Sequence, residues 1–208
     1  YNMFITICIP TYNRAYILER AINSVISQSE SDWELLLIDD GSTDNTYDIV
    51  LKYLIYKNIH YVKKENGGKH SALNVGVKRA EGEYFLILDS DDYLSKDCIR
   101  KMKEILNIYN QDDVCGVVGK CVNISKNSSY IGDLFDKEGD KISYIEMHFG
   151  GKKRYGDCCE CIKTKILKKY EWCEIPGLKF VPESYVLDKI GIQYYLVCTN
   201  SVLEFFEY

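Results

Sequence analysis

Two segments of the chain run from apolar residues straight into carboxylates. Leu35 to Thr46 reads LLLIDDGSTDNT, and Tyr84 to Leu94 reads YFLILDSDDYL. Ionised carboxylates only accept hydrogen bonds, so such groups at a strand end suit a hard divalent cation, sugar hydroxyls, or the N–H groups of a nucleotide base. One such turn alone is ordinary loop chemistry, since Asp and Ser start turns and cap helices everywhere. Two in one chain point to a shared site. A third stretch, NGGKHSALN, offers permissive backbone at Gly67 and Gly68 and an ammonium at Lys69, but His70 follows the lysine, so the spacing of a nucleotide phosphate loop fails.

The elements that must position these residues follow from hydropathy. FITICI, WELLLI, IHYVK, YFLIL and VCGVVG read as strands, and between them Ala15 to Ser27, Asp44 to Tyr56, Ser71 to Ala80 and Lys96 to Tyr109 read as helices. Ser42 or Thr43 is the expected cap of the second helix. Strands alternating with helices predict a mostly parallel sheet with helices on both faces, whose ligands bind beyond the carboxyl ends of the strands. Thr11, Asp39, Asp40, Asp89, Asp91 and Asp92 then meet at one sheet edge. After Gly119 the periodicity weakens, which predicts a smaller mixed layer of strands and helices built by the second half.

Composition narrows the function classes. The 208 residues are 46% apolar, enough for one core, and the net charge of −5 gives no field for holding a nucleic-acid backbone, despite a local cluster from Lys152 to Arg154. No run approaches the roughly 20 apolar residues of a membrane span, and no signal-peptide order is present, so a cytoplasmic setting is expected. Cys8, Cys115 and Cys198 lie in strand-like runs and read as small hydrophobes. The cluster Cys158, Cys159 and Cys161, with Cys173 further on, lacks a second metal knuckle. The apolar ending SVLEFFEY, without a polar tail, suggests that a C-terminal continuation is missing.

Three chemistries use parts of this arrangement. LLLIDDGST resembles the ribose-binding acidic loop of phosphoribosyltransferases, and FLILDSDD resembles the nucleophile loop of haloacid-dehalogenase phosphatases. Each leaves the other acidic turn unused. CIPTYNRAYILERAINSVISQSESDWELLLIDDGSTDNT, followed by NGGKHSALNVGVKRAEGEYFLILDSDDYL, is similar to the donor-binding half of the family 2 glycosyltransferases, inverting enzymes of the GT-A fold, and accounts for both. The resemblance implies a GT-A type α/β fold in which residues 1–119 bind the nucleotide sugar and residues 120–208 form the acceptor half of the same domain. It also implies roles. Pro10, Thr11, Tyr12 and Asn13 with Asp39 and Asp40 would embrace base and ribose, Gly68 and Lys69 would approach the phosphates, and Asp89, Ser90 and Asp91 match the Asp-x-Asp motif.

A leaving diphosphate must be neutralised, and acids alone would repel it, so the acidic turn implies Mn2+ or Mg2+. Asp91 is the expected main ligand, with Asp89 on the ribose or the metal shell, and Asp92 is read as a cap of the next helix. KFVPESYVLDKI resembles the segment where the family places its base, which implicates Glu183. YGDCCECI resembles the segment near the acceptor, which makes Asp157 the reserve candidate. A uracil N–H flanked by two carbonyls suits a lone Asp39 carboxylate, so a UDP-sugar is the expected donor, with Asp39 pointing into the pocket and Asp40 more exposed. The resemblance further implies a saccharide or lipid-linked saccharide acceptor, bacterial polysaccharide synthesis, and peripheral association with the inner face of the membrane through a missing C-terminal segment. The rival reading is a relative that binds sugar nucleotides but has lost its base.

Overall fold

A computed structural model describes residues 3–126, 129–151 and 153–207; Lys152 of the basic cluster, two residues of the polar Asn123 to Tyr130 stretch, and the terminal Tyr208 lie outside it. The strands β1 (Ile5–Thr11), β2 (Trp33–Asp39), β3 (Ile59–Lys63) and β4 (Tyr84–Ile87) are parallel neighbours in the order β3-β2-β1-β4. Their connections are α1 (Leu18–Ile26), α2 (Thr46–Leu51) and α3 (Lys69–Arg79). After β4 come the two-residue β5 (Tyr93–Leu94), α4 (Cys98–Tyr109) and the long β6 (Val114–Asn123).

The second half joins this sheet and also adds helices to one face. It comprises a 3-10 turn (Ile124–Lys126), β7 (Ser129–Tyr130), β8 (Lys141–Ile142), α5 (Tyr144–Phe149), β9 (Cys158–Lys163), α6 (Thr164–Leu167), α7 (Ser184–Gly191) and β10 (Tyr195–Phe206). β9 is inserted antiparallel between β4 and β6, and β10 lies parallel on the far side of β6. The ten-stranded sheet therefore reads β3-β2-β1-β4-β9-β6-β10-β5, with β7 on β6 and β8 on β10.

Alternation along each strand separates two apolar cores. Ile5, Ile7 and Ile9 of β1 with Leu35 and Leu37 of β2 pack against α1 and α4 through Leu18, Ile22 and Met102. Cys8, Leu36 and Ile38 face the other way, towards Leu73 and Val77 of α3 and Val186 and Ile190 of α7. Helices thus cover both faces, as the hydropathy predicts. All nine cysteines are free thiols, and burial pushes those of Cys115 and Cys158 up to about 12.

Two local expectations are corrected. The second helix ends at Leu51 rather than Tyr56, because Leu51, Leu54 and Ile55 find no core: Ile55 is 79% exposed. Neither Ser42 nor Thr43 caps it; the Asp44 carboxylate instead accepts from the Thr46 N–H at 3.0 Å.

Because β1, β2, β4, β6 and β10 run the same way, their carboxyl ends lie along one edge. β9 is antiparallel, so its first residues reach that edge: Cys158 pairs with Lys120 of β6. Asp157 and Glu160 thereby arrive beside residues that follow β4, some seventy positions earlier in the chain.

Candidate active site

The loops at this edge are laced together by their own motif residues. Asn13 takes a left-handed conformation, φ 53°, and its side-chain carbonyl accepts from the N–H groups of Thr43 at 2.8 Å and Asp44 at 3.3 Å. Its own N–H donates to Ser42 Oγ at 2.9 Å. Asn is among the few residues that adopt this backbone at modest cost. Asn13 is thus occupied in joining the Pro-Thr-Tyr-Asn turn to the first acidic loop. Pro10 is buried in β1, Tyr12 is exposed, and the buried Thr11 hydroxyl has no hydrogen-bond partner among the described residues.

Asp39 and Asp40 are both buried, which corrects the expectation that Asp40 is the more exposed. They face different partners. Asp39 accepts from the Ser42 N–H at 2.7 Å on one oxygen and from the Tyr61 hydroxyl at 2.5 Å on the other. Burial and this bond raise the Tyr61 pKa. Asp40 accepts from Lys64 Nζ at 3.0 Å and from the N–H groups of Gly67 at 2.8 Å and Gly68 at 2.7 Å. Gly68 has φ +96°, and a Cβ there would stand 2.0 Å from the Lys179 carbonyl oxygen, so only glycine lets the two loops meet.

That meeting starts α3 at Lys69 and aims its ammonium across the edge. Lys69 Nζ pairs with Asp89 of the second acidic turn and, at 2.6 Å, with Glu183 Oε1 at the start of α7. Burial disfavours the charged lysine, but Asp89 and then Glu183 outweigh it and hold its pKa above the ordinary value. One side chain therefore connects the two halves of the chain.

Carboxylate oxygens of Asp89, Asp91 and Asp92 lie within 4.8 Å of one another. This hard, all-oxygen set fits Mg2+ or Mn2+. Asp92 does not cap the following helix, a second correction to the sequence reading: α4 begins at Cys98 and Asp92 is buried, with Oδ1 lacking a hydrogen-bond partner among the described residues. Burial, then the charges of Asp89 and Asp91, push its carboxyl up to about 7. Arg14 reaches Asp91 at 4.0 Å, and Arg20 donates to the Asp91 carbonyl at 2.6 Å. Ser90 is buried within this turn.

Beside the acidic turn opens a cavity of about 380 Å³ whose lining includes Lys69, Asp89, Asp92, Asp157, Glu160 and Glu183. Tyr144, Glu204 and an apolar wall containing Phe85, Ile162 and Leu187 complete it. Glu160 occupies an inward position of β9 between Cys158 and Ile162, where the alternation calls for an apolar residue. Burial, then the charge of Glu183, push its carboxyl up to about 8, while the neighbouring Tyr144 phenol acts the other way. Burial also raises the carboxyl of Glu204 well above its ordinary value.

The sequence reading passed over Arg14, Arg20, Tyr61, Tyr144, Glu160 and Glu204. For Glu160 a signal existed: it is the sole charge in CCECI, a strand-like run. The others look like ordinary surface or core residues until the fold places them.

The sequence model described as Glycosyl transferase family 2 matches residues 6–162. The chain belongs to that family. An uncharacterized glycosyltransferase of Rickettsia conorii is 35% identical over 148 residues, covering 70% of this chain and 22% of that protein. Chondroitin synthase of Pasteurella multocida is 41% identical over 106 residues, covering 49% of this chain and 11% of that one. The chain thus spans a minor part of these family 2 relatives. Among solved structures, S. aureus TarS 1-349 superimposes with TM-score 0.80 at 22% identity, covering 99% of this chain and 60% of TarS, and has also been solved with UDP and with UDP-GlcNAc. A mannosyltransferase from Pyrobaculum calidifontis, solved with GDP-Man and Mn2+, gives TM-score 0.66 at 20% identity over 99% of this chain and 57% of that one. These likenesses show the GT-A type fold. No helix among the described residues is long and apolar enough to cross a membrane.

Glu160 yields a pH prediction. Its carboxyl titrates at about 8 in the folded protein, facing Glu183 just before α7, Asp157 just before its own strand, Tyr144 of α5 and Lys69 of α3, against an ordinary 4.5. The folded state therefore binds the extra proton between these values, and the stability this contributes is full below pH 4.5 and lost as pH rises through 8. Glu160→Gln removes the dependence. The unfolding free energy of the variant relative to the unmutated protein should climb steadily from pH 4.5 to 8, by about 5 kcal/mol in all; a flat difference across that window contradicts the assignment.

Proposed function

We propose that this chain is the catalytic part of an inverting, metal-dependent glycosyltransferase that moves a sugar from a UDP donor to a hydroxyl of a saccharide or lipid-linked saccharide. The observation that carries this reading is the Lys69 bridge, because it puts the candidate base, Glu183, one side chain away from the Asp89 of the acidic turn. A donor spanning Asp39 to Asp89 would leave its anomeric carbon facing the cavity that Glu183 lines. Residues 1–119 supply the donor-binding part, and residues 120–208 supply Glu183 and Asp157.

In the reaction, the Glu183 carboxylate takes the proton of the acceptor hydroxyl as that oxygen attacks the anomeric carbon. A new carbon–oxygen bond forms on one face while the bond to the diphosphate breaks on the other, and UDP leaves with the electron pair. A single displacement inverts the configuration, unlike the double displacement of retaining chemistry. Asp91, Asp89 and Asp92 would hold Mn2+ or Mg2+, which when bound acts as a Lewis acid that offsets diphosphate charge. Lys69 adds its ammonium on the phosphate side, and the Gly67-Gly68 turn keeps the backbone low enough for the phosphates to approach it. Thr11 and Tyr12 border the nucleoside, with the unpartnered Thr11 hydroxyl free to bind it. Asp39 accepts the uracil N–H on lone pairs that Ser42 and Tyr61 leave open.

Replacing Asp91 with Ala should abolish transfer and make nucleotide binding indifferent to manganese, as measured by calorimetry with and without the ion. Transfer near the unmutated rate would remove Asp91 from the cation site.

Glu183→Gln should keep donor affinity and lower turnover 10²–10⁴-fold, about 3–5 kcal/mol of barrier. Asp157 lines the same cavity. Should Glu183→Gln remain active and Asp157→Asn be dead, the proton goes to Asp157; if the unmutated protein binds donor and neither transfers nor hydrolyses any sugar of a donor panel, it is a binding relative.

Calorimetry with UDP, CDP and GDP in manganese tests the nucleotide itself. UDP should bind tightest, and Asp39→Ala should weaken it by about 1.5–3 kcal/mol, the range of a charged hydrogen bond. Equal affinity for all three nucleotides rejects Asp39 as the base reader.

A further inference from the structure

The cavity beside the acidic turn has a chemical bias that transfer as such does not require. Its lining carries Asp89, Asp92, Asp157, Glu160, Glu183 and Glu204, against Lys69 and His148. Lys69 is engaged by Asp89 and Glu183, and His148 Nδ1 lies 2.7 Å from Asp188. Lys69 stands on the phosphate side, so neither side chain is left to pair with a charged sugar.

Within this lining two polar groups stand among apolar neighbours. Glu160 replaces an apolar residue on the inward side of β9, and the Tyr144 phenol of α5, 1% exposed, stands beside it with a buried hydroxyl that has no hydrogen-bond partner among the described residues. A neutral carboxyl beside a phenol can both donate and accept, which matches a sugar hydroxyl or an acetamido group. The raised titration of Glu160 agrees with that neutral form. The apolar wall of Phe85, Ile162 and Leu187 offers the opposite face for a pyranose ring. At about 380 Å³ the space lies in the range of small-ligand sites.

We propose that Glu160 and Tyr144 read the hydroxyl groups of the donor sugar inside this cavity, and that the surrounding carboxylates restrict that sugar to uncharged hexoses and N-acetylhexosamines. The cavity begins at Asp89 and Lys69, where the diphosphate is to sit, so the donor's sugar rather than its nucleotide enters it. A uronate would bring its charge beside Asp89, Asp157 and Glu183 with no cation left free for it. Selection is then by exclusion of charge as much as by contact. This inference rests on the UDP-donor reading above.

The test is titration calorimetry of the chain in manganese with UDP, UDP-glucose, UDP-N-acetylglucosamine and UDP-glucuronate. The better of the two neutral donors should bind at least tenfold more tightly than UDP-glucuronate. Glu160→Ala should weaken that neutral donor at least fivefold and leave UDP within twofold, a split that a folding defect would not produce. Glu160→Gln, which imitates the neutral acid, should stay within threefold for both ligands, and Tyr144→Phe should weaken the sugar donor and not UDP. UDP-glucuronate binding as tightly as the neutral donors overturns the inference, as does a Glu160→Ala variant that loses UDP and the sugar donor equally or loses neither. If UDP itself fails to bind, the nucleotide reading falls and takes this one with it; binding of UDP without sugar discrimination removes this one alone.

Discussion

The buried carboxylate of Asp40 decides where the rest of the site stands. An ionised group with so little solvent access persists only if its lone pairs are met, and the chain supplies Lys64 and the N–H groups of Gly67 and Gly68. Those bonds hold the Asn-Gly-Gly turn against the end of β2 and bring Gly68 under the Lys179 carbonyl, an approach closed to any residue with a Cβ. Helix α3 must then begin at Lys69. From that position one ammonium reaches both Asp89 and Glu183, so a single buried charge just past the end of β2 determines the spacing between the acidic turn and the segment that carries Glu183.

The edge gathers more carboxyls than it has cations, and the fold tolerates this by protonation. Asp92 at about 7 and Glu160 at about 8 are largely or partly neutral at physiological pH, and Glu204 is shifted the same way. Each raised carboxyl costs stability at neutral pH that an apolar residue would not. Groups kept at such a cost in a cavity are more readily explained by ligands than by packing. A divalent cation bound by the acidic turn would reverse the balance for Asp92, favouring its ionised form, and would relieve Lys69 of part of its pairing.

Much of the fold could be read from sequence because it is local. The apolar runs ending at Thr11, Asp39 and Ile87 announce parallel strands, and their ends announce the edge where Asp39, Asp40, Asp89 and Asp91 collect. Helix α2 is shorter than its hydropathy predicts because Leu54, Ile55 and Tyr56 look like a continuing apolar face, and only the tertiary structure shows that this face is left exposed, Ile55 most of all. The insertion of β9 between β4 and β6 was not legible, since pairing across so many residues is decided by the whole sheet rather than by any window. With β9 went Glu160 and its neighbour Tyr144. Asp92 was misread for a related reason: its sequence context fits a helix cap, while its burial depends on strands and loops distant in the chain.

That insertion also bears on how such a chain could change its sugar without losing its fold. β9 contacts β4 of the first half along Tyr84 to Leu86 and β6 along Gly116 to Lys120, so its backbone belongs to the common core. Gly116 is part of that fit: a Cβ there would stand 1.8 Å from the Cys161 carbonyl oxygen. The strand's position is therefore fixed by packing on both sides, whereas its side chains at Cys158, Glu160 and Ile162 face the cavity. Across it stand Tyr144, Met147 and Leu187, contributed by the helices α5 and α7 of the outer layer. Changing these side chains alters the polarity and width of the cavity while the Asp40 bonds, the Lys69 bridge and the acidic turn stay where they are. On the proposed reading, recognition of the sugar can then vary on one wall of a site whose proposed nucleotide side is held by buried hydrogen bonds.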